Sequence, residues 1–285
     1  MRNYHSHTEF CDGRAPMAEM AAVAAAAGFS QWGFSPHSPV DCESGANMDI
    51  ADVDAFLSEA DRLKKEYEGK MKILTGMEID YLSPQFGPHL DYFRNLPLDY
   101  RIGSVHFVRT RDGRPVDCDG PADRFLKYLD MEYHGDLRYV VETYFAMQLE
   151  MLEAGGFDII GHLDKIGDNG SAADPALEYY PWYAELVRKV IAKAVEKNVI
   201  IEINTKKYPS SGRFFPALRW WPLLKKYDAR VVISTDAHYP DKVAAGYAEA
   251  LDRLNIHGLN LIEPDINLIE RDTHNCRLSK NKTLK

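Results

Sequence analysis

Two periodicities take turns along this chain. "APMAEMAAVAAAAG" (15–28) is alanine-rich and stops at Gly28, which predicts a helix with a glycine terminator, and "QWGFS" follows as a short strand. From 52 onward Val53, Phe56, Leu57, Ala60, Leu63 and Tyr67 recur at helical spacing, and "MKILTGMEID" (71–80) predicts the next strand. "DYRIGSVHF" reads as a strand, and Leu137, Val140, Val141, Tyr144, Phe145 and Leu152 outline a long helix ahead of the strand "FDIIGH". Tyr179, Trp182, Leu186, Val190 and Val195 mark another helix before "VIIEIN" (199–204), and a helix around 215–227 leads to "ARVVISTDAH" (229–238). With the opening segment, seven strands alternate with helices. Strict alternation predicts parallel strands, and seven units predict an α/β fold of the TIM-like barrel type, with its active site at the C-terminal ends of the strands.

No internal repeat, low-complexity segment or long linker interrupts the pattern, so a single domain over 1–285 is expected, with 265–285 as a peripheral tail that is cationic at its end. Apolar residues make up 45% of the chain, ample for one large core. A run of about 18 apolar residues is lacking, as is a basic stretch leading into an apolar one, so the expectation is a cytoplasmic protein without membrane contact. The four cysteines, Cys11, Cys42, Cys118 and Cys276, show no CxxC pairing and read as reduced thiols, Cys11 with packing as the first reading and metal ligation as the second. Acidic residues outnumber Lys plus Arg by 43 to 34, for a net charge of −9, and no cationic run is interleaved with aromatics. That balance argues against a nucleic-acid partner, while small anionic substrates stay open because bound divalent cations would offset the charge locally. The pattern sets no oligomeric state.

"NYHSHTEFCDG" (3–13) places His5 and His7 two apart, side by side on one face of an extended segment. An isolated HxH is common by chance; what gives it weight is the end of every other strand. "GFSPHSP" closes on His37, "GMEID" on Glu78, "GSVHF" on His106, "GHLD" on His162, "EINT" on Glu202 and Asn204, and "STDAH" on Asp236 and His238. Carboxylates gathered in an apolar barrel mouth would cost on the order of several kcal/mol per unpaired ion, and divalent Zn, Mn or Fe ions are the economical remedy for mixed imidazole and carboxylate. Six histidines with Asp12, Glu78 and Asp236 exceed what one zinc takes, so the count predicts two or three metals. Glu202 and Asn204 read as groups that orient metal-bound histidines. His89, His257 and His274 read as solvated, whereas His134, in "EYHGD" at the expected start of a helix, reads as either surface or substrate contact.

These motifs, in this order over residues 5 to 238, resemble the PHP (polymerase and histidinol phosphatase) family, and the aspartate of "FCDG" with "GFSPHSP" resembles its histidinol-phosphate phosphatase branch. The resemblance implies a distorted seven-stranded β/α barrel with a trinuclear metal site. It assigns His5, His7, Glu78 and Asp236 to one metal, with Glu78 bridging to a second bound also by His106 and His162. Asp12, His37 and His238 would take the third. The implied substrate is a small phosphate ester, L-histidinol phosphate, hydrolysed by metal-activated water in histidine biosynthesis, with Glu78, Asp236 and Asp12 as the catalytic carboxylates. Lys206 and Arg213 follow the sixth strand at the rim and are the candidates for the phosphate, although "KKYPSSGRFFP" follows no family motif. Rival readings are another PHP phosphomonoesterase or nuclease and a noncatalytic metal-binding module. An amidohydrolase-type barrel ranks lower, because Glu78 stands where that class carries a lysine.

Overall fold

The computed structural model describes residues 1–262; the expected tail of 265–285, with His274 and Cys276, lies outside them. In chain order the strands are β1 (Arg2–Asn3), β2 (Gln31–Phe34), β3 (Lys72–Thr75), β4 (Glu78–Asp80), β5 (Ile102–Ser104), β6 (Phe107–Arg109), β7 (Pro115–Asp117), β8 (Ile159–Ile160), β9 (Ile200–Asn204), β10 (Arg230–Ser234) and β11 (Asn260–Leu261). The helices are α1 (Met17–Ala26), α2 (Val53–Glu66), α3 (Asp91–Asn95), α4 (Ala122–Tyr133), α5 (Leu137–Ala154), α6 (Ile166–Ala173), α7 (Pro181–Glu196), α8 (Tyr208–Ser211), α9 (Trp221–Lys226) and α10 (Tyr247–His257). The α/β alternation expected from periodicity is present, and the apolar stripe of α2 buries Val53, Phe56, Ala60 and Leu63 as its spacing requires. Among the described residues no helix is long and apolar enough to cross a membrane.

Parallel pairing joins β1-β2-β3 in one sheet and β11-β10-β9-β8-β5-β4 in another, while β6 and β7 form an antiparallel hairpin. The two sheets meet twice. On one side the chain passes from β3 into β4 through Gly76 and Met77, and His37, just beyond β2, bridges to Glu78. On the other side Ser6 bridges to Ala237, and the Thr235 N–H donates to Asn3 Oδ1 at 2.8 Å.

Side chains from both sheets share one enclosed cluster: Tyr4, Leu74, Tyr100, Ile102, Ile159, Ile200 and Val232. Burying each aliphatic member contributes roughly 1.5–3 kcal/mol. Further along the same strands the same faces turn polar, since alternation carries Ile200 to Glu202 and Asn204, Ile102 to Ser104, and Val232 to Ser234. Apolar positions thus seal one end of the interior, and chemical groups gather at the other.

Three expectations need correction. The single strand foreseen over 71–80 is two, β3 and β4, divided at Gly76, where a Cβ would run into the Tyr100 ring. The strand foreseen through "DYRIGSVHF" ends at Ser104 and leaves for the β6–β7 hairpin, which the "RDG" turn makes possible. The helix foreseen at 215–227 is confined to Trp221–Lys226 after a 3-10 turn at Leu218–Trp220, because Phe215 pairs backbone to backbone with Asn204 instead.

Candidate metal centre and its cavity

Glu78, at the start of β4, is fully buried and stands at the middle of the polar end. Its Oε2 faces His37 Nδ1 at 3.0 Å, His5 Nε2 at 3.1 Å and His7 Nε2 at 3.6 Å. Its Oε1 faces His162 Nε2 at 2.8 Å and His106 Nε2 at 3.4 Å and accepts from Ser104 Oγ at 2.7 Å. One carboxylate therefore divides five imidazoles between its two oxygens. Asp236 Oδ1 lies 3.1 Å from His7 Nε2 and 3.9 Å from His5 Nε2. Asp12 Oδ1 lies 3.2, 3.5 and 3.7 Å from His238 Nε2, His7 Nδ1 and His37 Nε2.

Local structure explains how these side chains arrive. The loop of "FCDG" folds back tightly on itself, since a Cβ at Gly13 would overlap the His7 and Thr8 backbone, and this close approach turns Asp12 toward His7. His162 and Asp236 take positive φ values of 21° and 48°, costly for residues with a Cβ. Both sit just past a strand end, where the sharp turn swings the side chain into the centre. Cys11 Sγ contacts His7 Nδ1 at 3.4 Å and joins none of the clustered donor sets; burial pushes its thiol up to about 12.

A second layer holds the imidazoles. His5 donates from Nδ1 to Glu202 Oε1 at 2.7 Å, and Asn204 Nδ2 ties Glu202 Oε2 at 3.1 Å to Asp236 Oδ2 at 3.0 Å. His106 donates from Nδ1 to Asp80 Oδ1 at 2.8 Å, and Asn47 Nδ2 holds the other Asp80 oxygen at 2.9 Å. Each contact fixes the tautomer and turns Nε2 inward. Glu202 and Asn204 occupy the place expected for orienting groups; Asp80 was missed, although it follows Glu78 by two and shares its face of the strand.

Electrostatics keep the carboxylates charged. Burial opposes ionisation of Glu78, but His5, His106 and His37 outweigh it and hold its pKa well below the ordinary value. Asp236 is lowered against burial by Lys206, His5 and His7, and Asp12 by His238, His37 and His7. His5 is raised because Glu78, Glu202 and Asp236 overcome its burial, whereas burial together with His238 and His37 pushes His7 down.

Five of these atoms, His5 Nε2, His7 Nε2, Asp12 Oδ1, His37 Nδ1 and Glu78 Oε2, are buried and aligned for no hydrogen bond within the chain. Buried orphans cost free energy and are rare singly. Converging imidazole nitrogens and carboxylate oxygens are the donor set that divalent transition ions satisfy, so the residues fit such ions. His7, Asp12, His37 and His238 form one set that could hold a metal; His5, Glu78 and His162 form another, His5, His7 and Asp236 a third, and His37, Asp80 and His106 a fourth.

Of these residues Asp12, His37, His106, Asp236 and His238 line the inner side of a cavity of about 600 Å³. Its walls add Arg14, Arg124, Lys165, Lys206, Asp117 and Asp119. Lys206 Nζ is 3.4 Å from Asp236 Oδ1 and 3.2 Å from His238 Nε2, at the expected rim position. Arg213 is elsewhere: it is not among the lining residues and pairs with Glu178 at 2.5 Å and Asp164 at 3.3 Å. His134 does not open a helix but ends α4 as an exposed left-handed cap, also away from the lining. His89 and His257, expected in solvent, are half-buried, His89 with Nε2 donating to the Pro84 carbonyl.

A PHP domain profile matches residues 3–206. The chain belongs to the PHP domain family. This PHP chain is 28% identical to a probable histidinol-phosphatase of Schizosaccharomyces pombe, covering 92% of this chain and 90% of that one, and 26% identical to the histidinol-phosphatase of Bacillus subtilis, covering 88% and 98%. In fold it is similar to a putative histidinol phosphatase of Listeria monocytogenes (TM-score 0.75, 20% identity, 87% of this chain and 99% of that one). The histidinol phosphate phosphatase of Lactococcus lactis, solved with zinc, L-histidinol and phosphate, is also similar (TM-score 0.70, 19% identity, 92% and 95%). Asp236 and His238 lie beyond the matched PHP segment, yet the Ser6–Ala237 bridge sets them beside His7.

Proposed function

We propose that this chain is a metal-dependent phosphomonoesterase that hydrolyses L-histidinol phosphate to L-histidinol and phosphate. The carrying observation is Glu78, whose two oxygens divide five imidazoles, two of which, His37 and His106, line a cavity that also bears Lys206. Similarity over most of the chain to histidinol-phosphatases supports the substrate. In this reading His5, His7, Glu78 and Asp236 hold one divalent ion, Glu78, His106 and His162 a second, and Asp12, His37 and His238 a third. We further infer that a single domain closes as a distorted seven-stranded barrel, a reading supported by the two sheet junctions and the shared inner cluster. The setting proposed is the cytoplasm, with a small-molecule phosphate ester as partner and neither nucleic acid nor membrane.

Divalent ions bound there supply Lewis-acid activation of a water near neutral pH and positive charge against the phosphoryl oxygens. The chain's own residues do the rest. Asp80 and Glu202 keep His106 and His5 aimed, so that the centre needs no rearrangement when substrate enters. Lys206 offers its ammonium to a nonbridging phosphoryl oxygen. A water, Asp12 or Asp236 takes the proton of the attacking water and returns it to the ester oxygen as the P–O bond breaks.

The test is inorganic phosphate release from L-histidinol phosphate by metal-loaded protein, beside simple phosphomonoesters and a bis-aryl phosphodiester, with and without chelator. Selective, chelator-sensitive turnover of histidinol phosphate supports the proposal. Turnover confined to other esters removes the substrate, and metal binding without phosphate release at any pH leaves a binding module.

A further inference from the structure

Two inward-facing cations stand near His162, and they differ in what occupies them. Arg213, 15% exposed, meets two carboxylates, Glu178 and Asp164, and lies behind the cavity wall. Its charge is spent on structure. Lys165, 11% exposed, meets one carboxylate, with Nζ 2.7 Å from Asp119 Oδ2, and lines the cavity beside His106, Lys206 and Asp236. An ammonium carries three N–H donors, and among the described residues Asp119 is its one partner.

Burial works against the Lys165 charge, yet Asp119, Asp236 and Glu78 overcome it and raise its pKa, so the side chain faces the cavity as a cation. It follows His162 by three residues, and its N–H donates to the His162 carbonyl at 2.9 Å, so one turn of backbone fixes both. A cation with spare donors beside a centre for phosphoryl chemistry is matched by an anion with several acceptor oxygens.

We propose that Lys165 is a phosphate-binding residue of this cavity, with Asp119 as the positioning residue that directs its ammonium inward. The inference rests on the phosphomonoester reading above and adds a residue that no family motif marks. Two donors go to nonbridging oxygens of the substrate, and the third stays with Asp119 at the end of the β6–β7 hairpin.

Calorimetry with inorganic phosphate and the metal-loaded full chain tests this without turnover. Lys165→Met should weaken phosphate binding by at least about tenfold, the loss of a charge-assisted hydrogen bond, with metal content unchanged. Lys165→Arg should recover most of the affinity. Lys165→Met combined with Asp119→Asn leaves no unpaired carboxylate at that position, so it carries the test if the single variant fails to fold, and it should bind phosphate as weakly. Wild-type phosphate affinity in the double variant at full metal content would overturn the proposal. Weakened phosphate binding in a protein that hydrolyses no monoester would overturn the phosphatase reading and leave Lys165 as an anion site.

Discussion

The inner side of the cavity and its walls are built by different means. Apart from Asp12, which the folded-back "FCDG" loop carries in, the groups on the inner side come from a strand end or from the turn just past it, so the parallel register fixes their height and the side-chain alternation fixes their direction. Apart from Lys206, two residues past β9, and Arg124 on α4, the walls come from loops and from the hairpin: Arg14 after the folded-back "FCDG", Lys165 one turn past His162, and Asp117 and Asp119 at the end of β7. Register positions the first set, and tertiary closure positions the second. The inner side should therefore fail sharply when one member is changed, while the walls should divide into residues that touch substrate and residues that only support.

Glu78→Gln should have the largest effect. The change keeps the shape but removes the charge that serves both groups of imidazoles, and turnover should fall by on the order of a thousandfold, as when a preorganised electrostatic group is lost. Metal analysis after gel filtration should show ions lost from more than one position. Near-normal turnover with full metal content would remove Glu78 from the centre.

Asp80→Asn and Glu202→Gln come next. Both leave every proposed ligand in place but weaken the hold on His106 and His5, which should lower metal affinity by about 10–100-fold. Chelator competition measures it, and excess metal should restore much of the activity. If added metal restores nothing, the two carboxylates do more than orient.

The contrast also explains what could be read from sequence. "HSHTEFCDG", "GMEID", "GSVHF", "GHLD" and "STDAH" expose their chemistry because each ends a strand, and strand ends share one rim. Asp80 was equally readable, since it stands two residues after Glu78 on the same face, but the eye stops at the glutamate. Lys165 and Asp119 offered no such cue; only the hairpin brings them together across a separation of 46 positions, and the Asp112–Gly113 turn was the one local sign that a hairpin existed. Arg213 misled for the opposite reason. Its place after the sixth strand suggested the rim, but the backbone pairing of Asn204 with Phe215 draws the following segment back toward Asp164 and Glu178.

Arg213→Met tests that reassignment. It strands two carboxylates, so stability should fall by about 3–5 kcal/mol in urea titrations, while kcat/KM of the folded variant at low temperature falls less than about tenfold, under the cost of one charge-assisted contact. A much larger loss in kcat/KM with stability intact would return Arg213 to the phosphate.

The smallest effect belongs to His134. Its φ of 54° and ψ of 35° place a residue with a Cβ in the left-handed region, where the chain ends α4 and the next N–H, that of Gly135, donates to the Leu129 carbonyl at 2.9 Å. Glycine takes that conformation without steric cost but surrenders more freedom on folding, so His134→Gly should raise stability by up to about 1 kcal/mol. Neither the helix cap nor its exposed ring touches the cavity, so kcat/KM for histidinol phosphate should stay within about twofold of wild type, well below the loss of one hydrogen bond. A larger fall would mean that the exposed loop reaches the substrate, and the division between inner groups set by register and walls set by closure would have to admit a third source.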